Sequence, residues 1–210
     1  MKIHKFQNRE VWELFRRGKV TGSRVKDLLV KRGTEEKVGY YELIAERLAI
    51  RPDGENPMMR GTRLEDEALA RFTDETGKKL NTDLIVWQDE DFPNMAISPD
   101  GYVDGEIITE AAESKCLASS RHVEALIKQK VPKEYEEQIK WYFVLNPTLT
   151  TLYMCFYDPR MIVHDFFYLT IKRTDYEDGE LEGLKKEMIA KLMSIDEQVE
   201  ALSKGSKLEF

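Results

Sequence analysis

The sequence predicts an α/β fold with a central mixed β-sheet flanked by helices. Three observations lead there. Apolar residues recur at helical spacing through the first third, segments rich in β-branched and aromatic residues fill the middle, and helical spacing returns between those segments and at the end. With 210 residues and 41% hydrophobic content, the chain can bury one substantial core, and a single domain over residues 1–210 is expected.

Each element has a local reason. Asn8 can cap a first helix with Val11, Trp12, Leu14 and Phe15 on its apolar side, ended near Gly18. Thr21-Gly22-Ser23 restarts a helix with Val25, Leu28 and Leu29 inward, and a third over Tyr40 to Ile50 is broken by Pro52-Asp53-Gly54. A fourth runs from about Thr62 to Thr76, with Leu64, Ala68, Leu69 and Phe72 at helical spacing and Gly77 as its stop. Leu80 to Gln88 alternates as a strand. Ser119 or Ser120 caps a helix reaching about Gln129, and Pro132 opens one from Lys133 to Leu145. Leu149 to Tyr157 and Val163 to Ile171 have strand composition. The last helix begins near Asp175 or Gly179 and carries Leu181, Leu184, Met188, Leu192 and Ile195.

The segment between these elements holds the chemistry. Met95-Ala96-Ile97 is a short apolar run leading into the turn Ser98-Pro99-Asp100-Gly101. Tyr102-Val103 follows, Asp104-Gly105 reads as a hairpin tip, and Ile107-Ile108 resumes extended character up to Glu113-Ser114-Lys115. Residues two apart in a strand share a face, so Glu113 and Lys115 project together and the turn brings Asp100 alongside. Two carboxylates suit a hard divalent cation such as Mg²⁺, and a lysine beside them can position water or steady charge on a phosphate under attack. Pro-Asp-Gly is also an ordinary turn, and Glu-x-Lys an ordinary solvated strand face. Asp104 is a competing carboxylate, but Asp-Gly at a hairpin tip has a sufficient conformational reason to exist. Glu110, three before Glu113, falls on the opposite strand face.

Charge and composition exclude several classes. No stretch approaches the roughly 18 apolar residues of a membrane span, and Met1-Lys2-Ile3-His4-Lys5-Phe6 lacks the apolar core of a signal peptide, so a cytosolic protein without a membrane partner is expected. Cys116 and Cys155 lack metal-ligand spacing and read as buried thiols, while His4, His122 and His164 form no metal-ligand pattern. No Gly-rich phosphate loop is present. The net charge of −7 is unevenly spread: residues 1–33 carry ten Lys or Arg against three acids, whereas Asp175 to Glu200 carries nine acids against three Lys. The basic segment is the natural phosphate contact, and the acidic one is expected to face away from it.

The Asp100, Glu113 and Lys115 set resembles that of the PD-(D/E)xK nucleases, whose core is restriction-endonuclease-like. Further segments, in order, resemble the phage-type alkaline exonucleases, that is, the lambda exonuclease and YqaJ-like recombinase family. They are Arg16-Arg17-Gly18-Lys19-Val20-Thr21-Gly22-Ser23, Gly61-Thr62-Arg63-Leu64-Glu65-Asp66-Glu67-Ala68, Ile97-Ser98-Pro99-Asp100-Gly101, Glu113-Ser114-Lys115-Cys116, Glu134-Tyr135-Glu136-Glu137-Gln138-Ile139 and Tyr157-Asp158-Pro159-Arg160-Met161. The segment before Glu113 is longer and more acidic than the family's founding member would lead one to expect.

The resemblance implies a metal-dependent exonuclease that digests one strand of linear double-stranded DNA from its 5′ end and leaves a 3′ overhang. It implies a phage or prophage protein acting in a bacterial cytosol beside a single-strand annealing protein, as a ring-shaped homotrimer. The implied cofactor is Mg²⁺, as two ions, with Mn²⁺ able to substitute. Asp100 and Glu113 match the metal ligands, with the carbonyl of Ser114 as a further ligand, and Glu65 matches an acid that approaches the same metals. Lys115 matches the residue that orients the nucleophilic water, and Gln138 a glutamine on the helix behind the site. Arg16, Ser23 and Ser98 match a pocket for the terminal 5′ phosphate, with Arg121 as an addition. A guanidinium, hydroxyls and a helix N-terminus near Ser23 suit a phosphate dianion in their own right. Two alternatives stand beside this reading: an endonuclease on the same core, and a non-catalytic DNA-binding or assembly protein.

Overall fold

The computed structural model describes Val11, Tyr41 and residues 57–205, with side chains over 64–177 and 179–193. The first three expected helices lie outside the described residues, apart from Val11 and Tyr41, which are each helical. The described elements are helix α1 (Pro57–Thr76), strands β1 (Trp87–Gln88), β2 (Ala96–Ile97), β3 (Gly101–Tyr102) and β4 (Glu110–Lys115), helices α2 (Ser119–Lys128) and α3 (Glu136–Leu145), strands β5 (Thr151–Tyr157) and β6 (Phe166–Lys172), and helix α4 (Asp178–Gly205). Short 3-10 turns over Lys133–Tyr135 and Arg173–Asp175 precede α3 and α4.

The main sheet has the order β3-β4-β5-β6, and β1 and β2 form a separate antiparallel pair. β3 runs antiparallel to β4. The Thr109 carbonyl accepts from the amides of Thr150 at 2.8 Å and Thr151 at 3.1 Å, so β4 and β5 start side by side and run parallel. Parallel neighbours need a long crossover, and the chain between them supplies α2 and α3. The expected mixed α/β architecture is therefore the one observed.

The chain divides into two compact units: Met1–Lys78 with Ser114–Val131 and Met154–Leu169, and Lys79–Glu113 with Pro132–Tyr153 and Thr170–Phe210. In the first, α1 buries Leu64, Ala68, Leu69 and Phe72, the stripe its spacing predicts. The Phe72 ring meets Tyr168 edge-on at 5.2 Å, and Phe156 stacks on Phe167 at 4.8 Å. Gly77 ends α1 at φ +69°, its amide donating to the Thr73 carbonyl at 2.8 Å, a left-handed position that suits glycine. In the second unit, Ile139, Tyr142 and Phe143 of α3 are buried with Met95, Leu149, Leu152 and Leu181. Lys140 of α3 bridges Glu137 and Glu180 at 3.0 Å each, and the Glu180 and Glu137 carboxylates raise its pKa to about 12.

Three local expectations are corrected. Leu80 to Gln88 is a strand only at Trp87–Gln88, with Asn81 forming an isolated bridge to Tyr102. The Asn81 side chain accepts from the Asp83 amide at 2.8 Å, a local turn that competes with a ladder, and Leu84 is left fully exposed. The Asp104-Gly105 tip belongs to a longer loop, because β4 starts only at Glu110. Neither Ser119 nor Ser120 caps α2, whose N-cap is Ala118 with no side-chain cap bond. The Ser119 hydroxyl instead donates to Asp158 Oδ2 at 2.6 Å, and a bond to a buried charge outcompetes one to a neutral amide.

That bond belongs to a buried ionic cluster in the first unit. Asp158 is fully buried and accepts from Arg160 Nε at 2.8 Å and Nη2 at 3.0 Å, while Arg160 Nη2 also reaches the Leu117 carbonyl at 3.3 Å. Burial lowers the Arg160 pKa to about 10, which leaves it charged at neutral pH. Truncating one partner of such a pair strands the other charge. Arg160→Ala should therefore cost about 3–5 kcal/mol in urea unfolding. A loss below about 1 kcal/mol would mean that the cluster does not anchor this unit.

Candidate active site

Register aligns the two acidic positions. β3 and β4 pair Gly101 with Ala112 and Tyr102 with Ala111, and the same register carried one residue beyond β3 would set Asp100 opposite Glu113. The Val103 amide donates to the Glu110 carbonyl at 3.0 Å, which makes that pair a hydrogen-bonded one. Carried on to Asp100 and Glu113, the alternation would give a non-hydrogen-bonded position, the kind at which opposed Cα atoms approach to about 4.5 Å and side chains share a face. Pro99 is buried and Asp100 half-buried in the bend before β3.

Glu113 is only 5% exposed, and a carboxylate so buried requires hydrogen-bond donors. α3 supplies them. Gln138 Nε2 donates to Glu113 Oε1 at 2.7 Å, and the Tyr142 hydroxyl donates to Oε2. The same helix holds the other arm: Trp141 Nε1 donates to the Ala96 carbonyl at 3.3 Å, and the Tyr142 hydroxyl lies 3.0 Å from the Ser98 carbonyl. Gln138, Trp141 and Tyr142 are three and four residues apart, the spacing that puts side chains on one side of a helix. Trp87 packs edge-on against the Tyr142 ring at 5.8 Å.

The neighbouring acids have other partners. Glu110, on the opposite strand face, accepts from the Tyr153 hydroxyl at 2.6 Å, and Asp104 accepts from Asn81 Nδ2 at 3.0 Å. Lys115 is half-buried on β4, two residues after Glu113 and therefore on its face by alternation, with Ser114 half-buried between them.

The remaining expected residues are placed as follows. Glu65 is half-buried on α1, followed by exposed Asp66 and Glu67, the latter accepting from the Tyr157 hydroxyl at 2.9 Å. Ser98 is exposed, its hydroxyl donating to the Ile85 carbonyl. Arg121 is half-buried on α2 and paired with Glu124, which also holds Lys128 at 3.0 Å. Arg16 and Ser23 lie outside the described residues. His122 is buried, its Nε2 2.8 Å from the His164 carbonyl, and Cys116 and Cys155 are buried and not joined in a disulfide.

Among the described residues no group of three or more His, Cys, Asp or Glu side chains stands in metal-holding geometry. The Asp100 and Glu113 carboxylates are of the type that could hold Mg²⁺, which binds through one or two carboxylates and completes its shell with water and substrate phosphate oxygens. Gln138 and Tyr142 supply hydrogen bonds that orient the Glu113 carboxylate, as the outer partners of a metal ligand would. Sequence reasoning missed Trp141 and Tyr142, which it placed only within a helix from Lys133 to Leu145 and assigned no role. The only available signal was that Tyr142 follows Gln138 by four.

Comparisons with known proteins bear on the family and the fold. The model of the YqaJ-like viral recombinase domain matches residues 11–149. The alkaline exonuclease LHK-Exo from Laribacter hongkongensis is 29% identical, with a TM-score of 0.64 over 94% of this chain and 97% of its own. Its complex with dAMP matches over the same shares at 0.63. A phage-related exonuclease from Haemophilus somnus 129PT, 16% identical over 73% of this chain and 75% of its own at a TM-score of 0.50, shares the fold. No curated protein matches the sequence. Because the family model spans well over half of its length, the chain belongs to the YqaJ-like viral recombinase family.

Proposed function

We propose that this protein is a Mg²⁺-dependent exonuclease that digests one strand of linear double-stranded DNA from the 5′ end, leaving a 3′ overhang for phage-type homologous recombination. The coarser statement, a recombination exonuclease, is supported by the family and by the alkaline exonuclease structures. The observation that supports the finer reading is the β3–β4 register, which carried one residue beyond β3 would oppose Asp100 to Glu113, together with the bonds from α3 to Glu113 and to the Ser98 carbonyl.

Asp100, Glu113 and the Ser114 carbonyl would hold Mg²⁺, as two ions with Mn²⁺ as a substitute, and Glu65 would approach them from α1. When bound, the metal supplies Lewis acidity at the scissile phosphate and a more acidic water. The chain's own part is to place the reactants. The Lys115 ammonium orients the attacking water and offsets charge on the phosphate, while Gln138 fixes the Glu113 carboxylate. Arg16, Ser23, Ser98 and Arg121 receive the terminal 5′ phosphate; Arg121 would exchange Glu124 for it. The working form is a ring-shaped homotrimer in a bacterial cytosol, beside a single-strand annealing protein. Among the described residues no helix is long and apolar enough to cross a membrane.

Linear duplexes labelled at either 5′ or 3′ ends, beside a closed circle, with and without Mg²⁺, test the reading directly. Release of 5′ label from linear DNA alone, and only with Mg²⁺, is expected. Cleavage of the circle would favour an endonuclease, and no release under any condition a binding protein. Lys115→Ala should lower turnover by about 10²–10³ while leaving DNA binding intact, and near-normal turnover would remove Lys115 from the site. Arg16→Ala should slow initiation on 5′-phosphorylated ends about tenfold or more, as for a charged contact of about 1.5–3 kcal/mol; equal rates of the unmodified protein on phosphorylated and unphosphorylated ends would dismiss the pocket. Light scattering should return a mass about three times 24.5 kDa, and a monomeric mass would exclude the ring.

A further inference from the structure

We infer that Tyr142 is the positioning residue that couples the two arms of the proposed metal site, its single hydroxyl standing between the Glu113 carboxylate and the backbone that carries Asp100. The inference rests on the functional reading above. A tyrosine hydroxyl has one proton to donate, yet two acceptors lie within its reach: Glu113 Oε2 and the Ser98 carbonyl, the latter at 3.0 Å. Tyr142 is fully buried, so bulk water does not reach the ring to relieve that competition. The charged oxygen is the stronger acceptor, and the proton goes to Glu113 while the carboxylate is unmetallated.

A cation held by Asp100 and Glu113 would withdraw charge from that carboxylate and weaken it as an acceptor. The O–H then turns toward the Ser98 carbonyl, two residues before Asp100, and draws in the arm that carries the second carboxylate. Filling the site thus tightens it, and the same movement acts on Ser98, placed in the proposed 5′-phosphate pocket. The rest of the fixture stays in place without the hydroxyl. Gln138 still holds Glu113 Oε1, Trp141 still holds the Ala96 carbonyl, and the ring still packs against Trp87. Tyr142 is therefore separable from folding in a way that the buried Glu113 is not.

The test is titration of Mg²⁺ into DNA-free protein by calorimetry, for the unmodified chain, Tyr142→Phe, Asp100→Asn and Glu113→Gln. Tyr142→Phe should weaken Mg²⁺ binding about tenfold, equivalent to about 1.4 kcal/mol, and raise the Mg²⁺ concentration for half-maximal digestion by the same factor. Turnover at saturating Mg²⁺ should return to within about threefold, a split that a general loss of packing would not produce. Unchanged Mg²⁺ affinity in Tyr142→Phe, alongside loss of binding in Asp100→Asn and Glu113→Gln, overturns the role of Tyr142 and leaves the site standing. Unchanged binding in all three overturns the site itself. Should Tyr142→Phe fail to fold, the near-ultraviolet difference spectrum of the unmodified protein decides the question. Mg²⁺ should produce a tyrosine signal that Asp100→Asn does not show, and its absence from the unmodified protein overturns the coupling.

Discussion

The burial of Glu113 is the constraint around which this part of the molecule is arranged. At 5% exposure, an ionised carboxylate left alone would cost several kcal/mol, so the fold has to bring donors to it. α3 does so with an amide on one oxygen and a hydroxyl on the other. The arrangement follows from the crossover: parallel β4 and β5 require a long connection, and α3 is the part of it that reaches Glu113. Having satisfied Glu113, the same helix turn has Trp141 and Tyr142 in reach of the carbonyls of Ala96 and Ser98. One helix face therefore fixes both the carboxylate and the backbone leading to its counterpart.

The other compact unit solves a comparable problem with a cation. Asp158 is buried completely and is matched by Arg160 through two nitrogens, by the Ser119 hydroxyl and by the Arg160 amide at 3.1 Å. The contrast is chemical. A guanidinium neutralises its carboxylate and leaves little charge for a ligand, whereas an amide and a hydroxyl orient Glu113 without cancelling its charge. Of the two buried acids among the described residues, Glu113 is the one whose charge is left uncancelled for the proposed cation, and the Asp158 cluster is suited to anchoring the start of α2.

How much of this was legible in the sequence depended on whether the deciding interaction was local. The stripe Leu64, Ala68, Leu69, Phe72 and the stop at Gly77 are set by helix geometry, and both were readable. Likewise Glu113 and Lys115 share a face because strands alternate, whatever surrounds them. Ser119 misled because a residue 39 positions away in sequence, Asp158, outbids the local amide. Leu80 to Gln88 misled because alternation reports a half-buried strand only where a partner covers one face, and Leu84 is fully exposed. The register opposing Asp100 to Glu113 could be guessed from the turn but not counted, since the loop after Tyr102 proved longer than a tight hairpin. Tyr142 was invisible for a related reason: its ring obeys the core pattern, and only three-dimensional structure reveals where its oxygen points.

Charge bears on how such a chain could work on DNA. Many cations of the described region are already engaged within their own units: Arg71 with Asp165, Arg160 with Asp158, Lys128 with Glu124, Lys140 with Glu137 and Glu180, and Lys185 with Asp89. A cation held in this way attracts phosphate weakly, because its field is largely cancelled at the distance of a second partner. On α4, Glu182 and Glu187 stand 71% and 68% exposed, each offset by a lysine one turn on, Lys186 at 3.8 Å and Lys191 at 3.9 Å, while the segment Asp175 to Glu200 keeps an excess of acids that would repel a duplex. The excess of seven positive charges in residues 1–33 is then the strongest counterweight in the chain. It coincides with Arg16 and Ser23, the residues proposed for the end phosphate, so general attraction to DNA and recognition of its end converge on one segment. A protein with a net charge of −7 can engage a polyanion only if that segment is presented to it and the acidic helix is not, and rotational symmetry is the simplest means of holding several such segments around one duplex.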